Sequence, residues 1–137
     1  MWSRRQVVDF SLQRRATLES WQRSSRVFSG DPRDAEPLLL RAAHHHGEPS
    51  EVACPLCQHK LVNLNYVFGD QLGQYSGRIK ATTELIEMQD SFGEFKVCVV
   101  EVCTECGWNH LIQSYLLGDG RMRPPPRRRK TVEDIYG

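Results

Sequence analysis

The stretches Cys54-Pro55-Leu56-Cys57 and Cys103-Thr104-Glu105-Cys106-Gly107 dominate the architecture predicted for this chain. Each contains a Cys-x-x-Cys pair, and together they supply four thiolates, the number that a closed tetrahedral zinc site requires. Two intervening residues let the backbone curl so that both sulfurs face one centre, and Gly107 suits a turn with positive φ. The 45 residues between the pairs leave room for strands and a short helix. We therefore predict one structural Zn²⁺, bound by Cys54, Cys57, Cys103 and Cys106.

Three further side chains lie close to these pairs in sequence. Cys98 sits inside an apolar run and is most simply a buried thiol. His59 and His110 flank the pairs, where they could bind metal or donate hydrogen bonds to the thiolates. Four cysteines already complete a structural site, so all-cysteine coordination is the prediction. Redox use of the pairs is disfavoured because neither pair opens a helix.

Segments around the cysteine pairs predict a small antiparallel sheet. Residues 61–67 alternate in polarity, residues 95–102 are rich in β-branched side chains, and residues 108–117 leave the second pair as another strand. The second pair therefore lies at a hairpin turn, as in a zinc ribbon. A helix is predicted over residues 82–89, with a threonine cap. The predicted class is α+β, with the zinc-ribbon domain at residues 51–118.

Residues 1–50 are predicted to form an N-terminal helical region. From Arg4 to about Ser24, apolar residues recur with helical spacing, although Arg14 falls in the same stripe. A second helix is expected from Asp34 or Pro37 to about His46, ended by Gly47. The arginines of the first helix could face phosphates or an acidic protein surface, or simply extend along the helix surface. The candidate contacts are Arg4, Arg5, Arg14 and Arg15.

The segment Phe68–Gly77 contains three glycines and two aromatic residues. One interpretation is a long structural turn. The other is a contact loop whose Tyr75 stacks on bases or fills a partner's pocket. It does not match a P-loop, because no Gly-Lys-Ser/Thr follows the glycines.

Charge is segregated along the chain, although the net charge is only +1. Residues 1–30 carry +4, residues 31–118 carry −6 and residues 119–137 carry +3. Residues 119–137 form a basic, proline-rich tail predicted to be disordered. Such a tail can follow a phosphate groove or merely aid solubility. Its candidate contacts are Arg127, Arg128, Arg129 and Lys130.

Length and composition indicate one domain with tails and a cytoplasmic location. The chain has 137 residues, and no apolar run approaches the roughly 18 residues of a membrane span. No continuous apolar segment follows the charged N-terminus, so a secretory signal is not expected. Four of the five cysteines form x-x pairs, a pattern that fits zinc in a reducing compartment better than a disulfide framework.

Five motifs along the chain are shared with known proteins: Cys54-Pro55-Leu56-Cys57, Tyr66–Gly77, Val100–Cys103, Gly107-Trp108-Asn109-His110 and Ser114-Tyr115. Through these motifs the chain resembles a family of small actinobacterial proteins of unknown function. The resemblance covers most of the chain, and it implies an intracellular bacterial zinc-ribbon protein without implying an activity.

Three classes of function follow from these observations. The first is a nucleic-acid or nucleoprotein binder, in which the basic ends contact phosphates and Tyr75 or Trp108 stacks on bases. The second is a protein adaptor, for instance on RNA polymerase or the ribosome, using residues 68–77 and the C-terminal motif. The acidic middle favours this second class, because it repels phosphate. An enzyme is not expected, because neither a nucleophile–base pair nor an open metal site is recognisable.

Overall fold

The computed structural model describes residues 3–23 and 31–124. Its framework is a five-stranded antiparallel sheet with the strand order β1-β5-β4-β3-β2. Helices accompany this sheet, so the predicted α+β class with an antiparallel sheet is confirmed. The strands are β1 (Arg5–Asp9), β2 (Glu48–Ala53), β3 (Lys60–Phe68), β4 (Phe95–Val102) and β5 (Asn109–Leu117).

Within the described residues, three α-helices and one 3-10 helix connect or flank the strands: α1 (Ser11–Arg23), α2 (Pro37–His46), the 3-10 helix (Asp70–Tyr75) and α3 (Thr82–Met88). Helix α2 begins at a proline and ends at Gly47, as predicted. Helix α3 is also confirmed, but the predicted threonine cap is wrong. The N-cap is Ala81, and Glu48 accepts hydrogen bonds from both the backbone and the hydroxyl of Thr82.

The predicted first helix is wrong over its N-terminal part. Residues Arg5–Asp9 form an edge strand that pairs with β5, and α1 starts only at Ser11. The Asp9 carboxylate accepts a hydrogen bond from the Ser11 backbone N–H, at 2.6 Å, and so satisfies a free donor of the first helical turn. Val7 and Val8 suit a strand, and pairing with a distant segment overrode the local helical spacing.

Two apolar clusters lie at opposite ends of the sheet, and a third lies beneath α2. The end cluster around Phe95 packs α3 and the 3-10 helix against β3, β4 and β5. The cluster at the other end consists of Cys54, Leu61, Cys103 and Trp108, with Leu18 of α1 against it. The α2 cluster is built on Ala43, Leu64 and Val102.

The sheet register explains why the two cysteine pairs meet. The first pair lies in the turn between β2 and β3, and the second lies in the turn between β4 and β5. Strands β3 and β4 are antiparallel neighbours, with Val62 opposite Val102, so the start of β3 adjoins the end of β4. Both turns therefore project from the same end of the sheet.

The predicted boundary between residues 50 and 51 falls inside β2. Strand β1 belongs to the same sheet, although it lies in the region predicted to be helical. Most of the predicted tail, from residue 125 onward, is outside the described residues. Within the described ranges, every helix is too short or too polar to cross a bilayer.

Candidate metal centre

The two cysteine turns have closely similar backbones. In the first, the Cys54 N–H donates to the His59 carbonyl and the Gln58 N–H donates to the Cys54 carbonyl. In the second, the Cys103 N–H donates to the Trp108 carbonyl and the Gly107 N–H donates to the Cys103 carbonyl, which is the same pattern. Backbone N–H groups also lie 3.5 Å from the sulfurs of Cys54 and Cys103. Such donors stabilise thiolates, the form in which cysteine binds metal.

The four sulfurs of Cys54, Cys57, Cys103 and Cys106 converge on one point. All lie within 4.8 Å of one another, with 3.6 Å between Cys54 and Cys106 and 3.4 Å between Cys57 and Cys103. These separations exceed the roughly 2.05 Å of a disulfide. Sulfur ligands placed about 2.3 Å from a tetrahedral ion would lie about 3.8 Å apart. The donor set therefore fits a single four-coordinate metal ion.

The four thiols differ in burial and in proton affinity. Cys54 and Cys103 are fully buried, whereas Cys57 and Cys106 are half-buried. Burial raises the pKa of the Cys106 thiol to about 12. Burial also acts to raise the pKa of Cys103, but N–H donors from Cys106 and Glu105 and the facing thiols outweigh it and lower that pKa. Metal binding must displace the protons that remain on these sulfurs.

We expect metal affinity to fall steeply on acidification. A thiol whose pKa is raised above neutral pH, such as that of Cys106, gives up its proton when it binds metal. The apparent association constant should then drop by about one power of ten per pH unit for each proton displaced. Competition with a chromophoric chelator at several pH values measures this slope. A slope near zero would contradict binding by thiols.

His59, His110 and Cys98 occupy distinct places around the centre. The Nδ1 atom of His59 lies 3.2 Å from the Cys57 sulfur, which fits the predicted supporting hydrogen bond. His110 stacks on Trp108, and its Nδ1 lies 2.7 Å from the Leu111 carbonyl oxygen. Cys98 is half-buried in the middle of β4, outside the cluster, and burial raises the pKa of its thiol.

Gly107 adopts the positive φ predicted for it, at 89°. A Cβ atom there would also lie 3.1 Å from the Arg33 carbonyl oxygen. Gly107→Ala should therefore lower the free energy of unfolding by about 1–2 kcal/mol more than Gly120→Ala. Gly120 is the matched control, because its φ is 77° and no atom would contact its added Cβ. Urea denaturation of both variants measures the difference, and equal effects would contradict the packing assigned to Gly107.

Comparison with known proteins places the chain in a family. The family model of DUF5318, described as a family of unknown function, matches residues 1–132. The chain belongs to DUF5318. It is 46% identical over 121 residues to the uncharacterized protein Rv0049 of Mycobacterium tuberculosis and to the uncharacterized protein Mb0050 of Mycobacterium bovis, covering 88% of each chain. No solved structure matches. The predicted resemblance to an uncharacterised actinobacterial family is confirmed.

The candidate phosphate-binding arginines of this DUF5318 member have different surroundings. Arg4 lies over the ring of Tyr115, and Arg5 donates to the Gly118 carbonyl at 3.0 Å. Arg14 is bound to Glu101 through its Nε, at 3.0 and 3.2 Å from the two carboxylate oxygens. Arg15 is exposed on α1. The structure therefore leaves Arg15 open to a partner and engages Arg14 inside the fold.

The aromatic candidates are also held within the fold. Trp108 is fully buried, so the prediction that it stacks on bases is wrong. Tyr75 is half-buried, with its ring edge-to-face with Phe92 and with Arg78 and Lys80 lying over it. The tail candidates, Arg127, Arg128, Arg129 and Lys130, lie outside the described residues.

Glu101, which none of the sequence motifs singled out, links the metal centre to α1. Its side chain is 4% exposed and accepts a 2.6 Å hydrogen bond from the indole N–H of Trp108, in addition to the bond from Arg14. A single acid within the apolar run 95–102 was the available signal, because a buried carboxylate needs a charged or hydrogen-bonding partner.

Proposed function

We propose that this chain is a non-enzymatic zinc protein that binds nucleic acid, alone or within a nucleoprotein machine such as RNA polymerase or the ribosome. Zinc is favoured because four thiolates in a tetrahedral arrangement suit zinc or iron, and a structural role needs no redox activity. The two cysteine turns at one end of an antiparallel sheet support a zinc-ribbon assignment. Thiolates that bind metal must stay reduced, so we propose that the protein resides in the reducing cytoplasm.

The donor set also supports a structural role for the metal. Catalytic zinc sites keep one position for water or substrate, whereas four cysteines fill a tetrahedral ion. The two fully buried sulfurs, of Cys54 and Cys103, belong to the apolar cluster with Leu61 and Trp108. The metal would thus join two turns and extend a core rather than activate a substrate.

One observation carries the nucleic-acid proposal: cations from both basic ends of the chain lie at the sheet end opposite the metal centre. Strand β1 pairs with β5, which places Arg5 opposite Leu116. The Arg5 guanidinium reaches the Gly118 carbonyl, just before Arg121 and Arg123. The four consecutive cations at residues 127–130 follow in the sequence, outside the described residues.

Part of this positive charge is already balanced. The Asp119 carboxylate pairs with Arg123, and this hydrogen bond lowers the Asp119 pKa to about 2. Glu94 lies 3.7 Å from Arg5. Arg121 is exposed. Phosphate binding would therefore draw mostly on Arg121 and on the four cations of residues 127–130, with a modest number of released counterions.

The test is a titration of the intact protein against short RNA and duplex DNA at rising salt. We expect binding with a log–log slope of about −0.7 per phosphate on single strands and about −0.9 on duplex DNA. Truncation after Gly120 should reduce the slope by several units, and the Arg4→Gln/Arg5→Gln double variant by about one to two. Arg41→Gln, on the exposed face of α2, is the control and should leave the slope unchanged.

No binding at low salt would contradict the nucleic-acid proposal and leave the adaptor function. One observation favours that second function. A cleft of about 380 Å³ begins at the predicted contact loop and is open to solvent. Phe68 is 42% exposed at this cleft, whose lining also includes Asp70, Lys96 and Glu94, the last paired with Arg5. A protein segment with apolar side chains would fit this surface.

A further inference from the structure

Helix α1 packs beside the metal centre, although it has little stability of its own. It is 13 residues long, has no acidic residue in its first turn and buries none of its residues fully. Isolated helices of about this length are marginal in water. Its order therefore depends on the surface to which it docks. Leu18 provides the apolar part of that contact, against the cluster of Cys54, Leu61, Cys103 and Trp108.

The polar part of the contact runs directly back to the second cysteine turn. Trp108 is two residues after Cys106, and its indole N–H donates to Glu101 at 2.6 Å. The same carboxylate accepts from Arg14, whose guanidinium also lies 5.7 Å from the Trp108 ring centre. A carboxylate that is 4% exposed requires these partners to stay buried as an anion. The position of Trp108 thus fixes the binding site of Arg14.

The segment that follows α1 contacts the same turn. The Ala35 N–H donates to the Gly107 carbonyl at 3.1 Å, and the Asn109 amide donates to the Asp34 carboxylate at 3.0 Å. Arg33 lies over the ring of Trp21, at the C-terminal end of α1, with 5.0 Å between its guanidinium carbon and the ring centre. The C-terminal end of α1 and residues 33–35 therefore contact each other, and residues 34–35 contact the second cysteine turn.

The opposite end of the sheet has its own support. Helix α3 and the 3-10 helix pack on Val67, Phe95 and Val97 without using the cysteine turns. Glu48 and Asn65 form a separate polar network with Thr82. Loss of order in the cysteine turns would therefore disturb α1 first and the Phe95 cluster last.

We propose that metal binding at the four cysteines controls the docking of α1 and residues 31–35. The metal fixes the second cysteine turn, which sets Trp108 and Glu101 and so holds Arg14 and Leu18. Without metal, α1 separates from the sheet while the Phe95 cluster persists. This inference rests on the metal binding in the proposed function. It adds a regulatory property, because the exposed cations of α1, including Arg15, take fixed positions only in the metal-loaded protein.

Hydrogen exchange of the full chain, with and without a chelator, tests the proposal. Removing the metal should raise amide exchange in residues 11–23 and 31–35 by roughly tenfold or more, while residues 64–67 and 95–99 keep their protection. Unchanged protection of α1 in the metal-free protein would overturn the proposal. Equal loss of protection at both ends of the sheet would overturn it as well.

A second comparison keeps the metal in place. Arg14→Gln should raise the rate of amide hydrogen exchange across α1 in the metal-loaded protein, while one metal ion per chain remains bound. Arg14→Lys, which keeps a cation beside Glu101, should restore part of the protection. The control is Arg15→Gln, an exposed neighbour on the same helix, which should change nothing. Equal exchange in the Arg14→Gln and Arg15→Gln proteins would overturn the coupling.

These measurements separate this inference from the proposed function. Metal content by mass spectrometry tests whether the centre binds an ion at all, and the salt titration tests nucleic-acid binding. Metal bound at full occupancy with an unresponsive α1 refutes only the coupling. Absence of bound metal refutes the coupling and the zinc centre together.

Discussion

Cys54→Ser is expected to abolish metal binding and to unfold the metal end of the sheet. Cys54 is fully buried, and its sulfur lies 3.6 Å from that of Cys106. Structural zinc contributes apparent binding free energies of about 10 kcal/mol or more, which act as folding free energy. The free energy of unfolding should therefore fall by at least about 5 kcal/mol. Metal analysis and thermal denaturation measure both effects.

Cys98→Ser is the matched control for this variant. Cys98 is half-buried in β4, opposite Tyr66 and Ser114, and its sulfur is outside the cluster. It should retain full metal content and lose no more than about 1 kcal/mol of stability. Metal retained by Cys54→Ser, or lost from Cys98→Ser, would show that the ligand set is wrong.

Glu101→Ala is expected to have the second largest effect. It leaves the buried indole N–H of Trp108 without its acceptor and removes the carboxylate that pairs with Arg14. Losing both interactions at this buried site should lower the free energy of unfolding by about 3 kcal/mol. The loss is not larger because the Arg14 side chain, 24% exposed, regains some contact with water. For a domain of this size the melting temperature should fall by roughly 10 °C.

Two variants define how this loss arises. Glu101→Gln keeps an acceptor for Trp108 but removes the ion pair, so it should cost about half as much. Glu105→Ala, in the exposed part of the second cysteine turn, should be nearly neutral. A melting temperature of Glu101→Ala equal to that of Glu105→Ala would contradict the role assigned to the buried carboxylate.

Local patterns were sufficient to predict that the four cysteines lie together. Each Cys-x-x-Cys pair encodes its own turn, down to the positive φ of Gly107. The runs 61–67 and 95–102 encode the strands that bring the turns to one end of the sheet. Each of these signals spans only a few neighbouring residues, so each can be recognised in a single sequence.

Contacts between distant segments could not be predicted in this way. Val7 and Phe10 fit a helical period, yet pairing with β5 makes residues 5–9 a strand. Arg14 and Glu101 are 87 positions apart, so nothing local marks Arg14 as a partner of a buried acid rather than of phosphate. Glu48, which binds the N-terminus of α3, is likewise 34 positions from Thr82. In each case tertiary structure assigned the role of a side chain.

X-ray absorption at the zinc edge of the purified protein tests whether the four cysteines hold one zinc ion. We expect one zinc per chain with four sulfur neighbours at about 2.3 Å. The same spectrum should persist in Cys98→Ser, because that thiol is outside the cluster. A protein without zinc, or a first shell containing nitrogen or oxygen in place of sulfur, would contradict it.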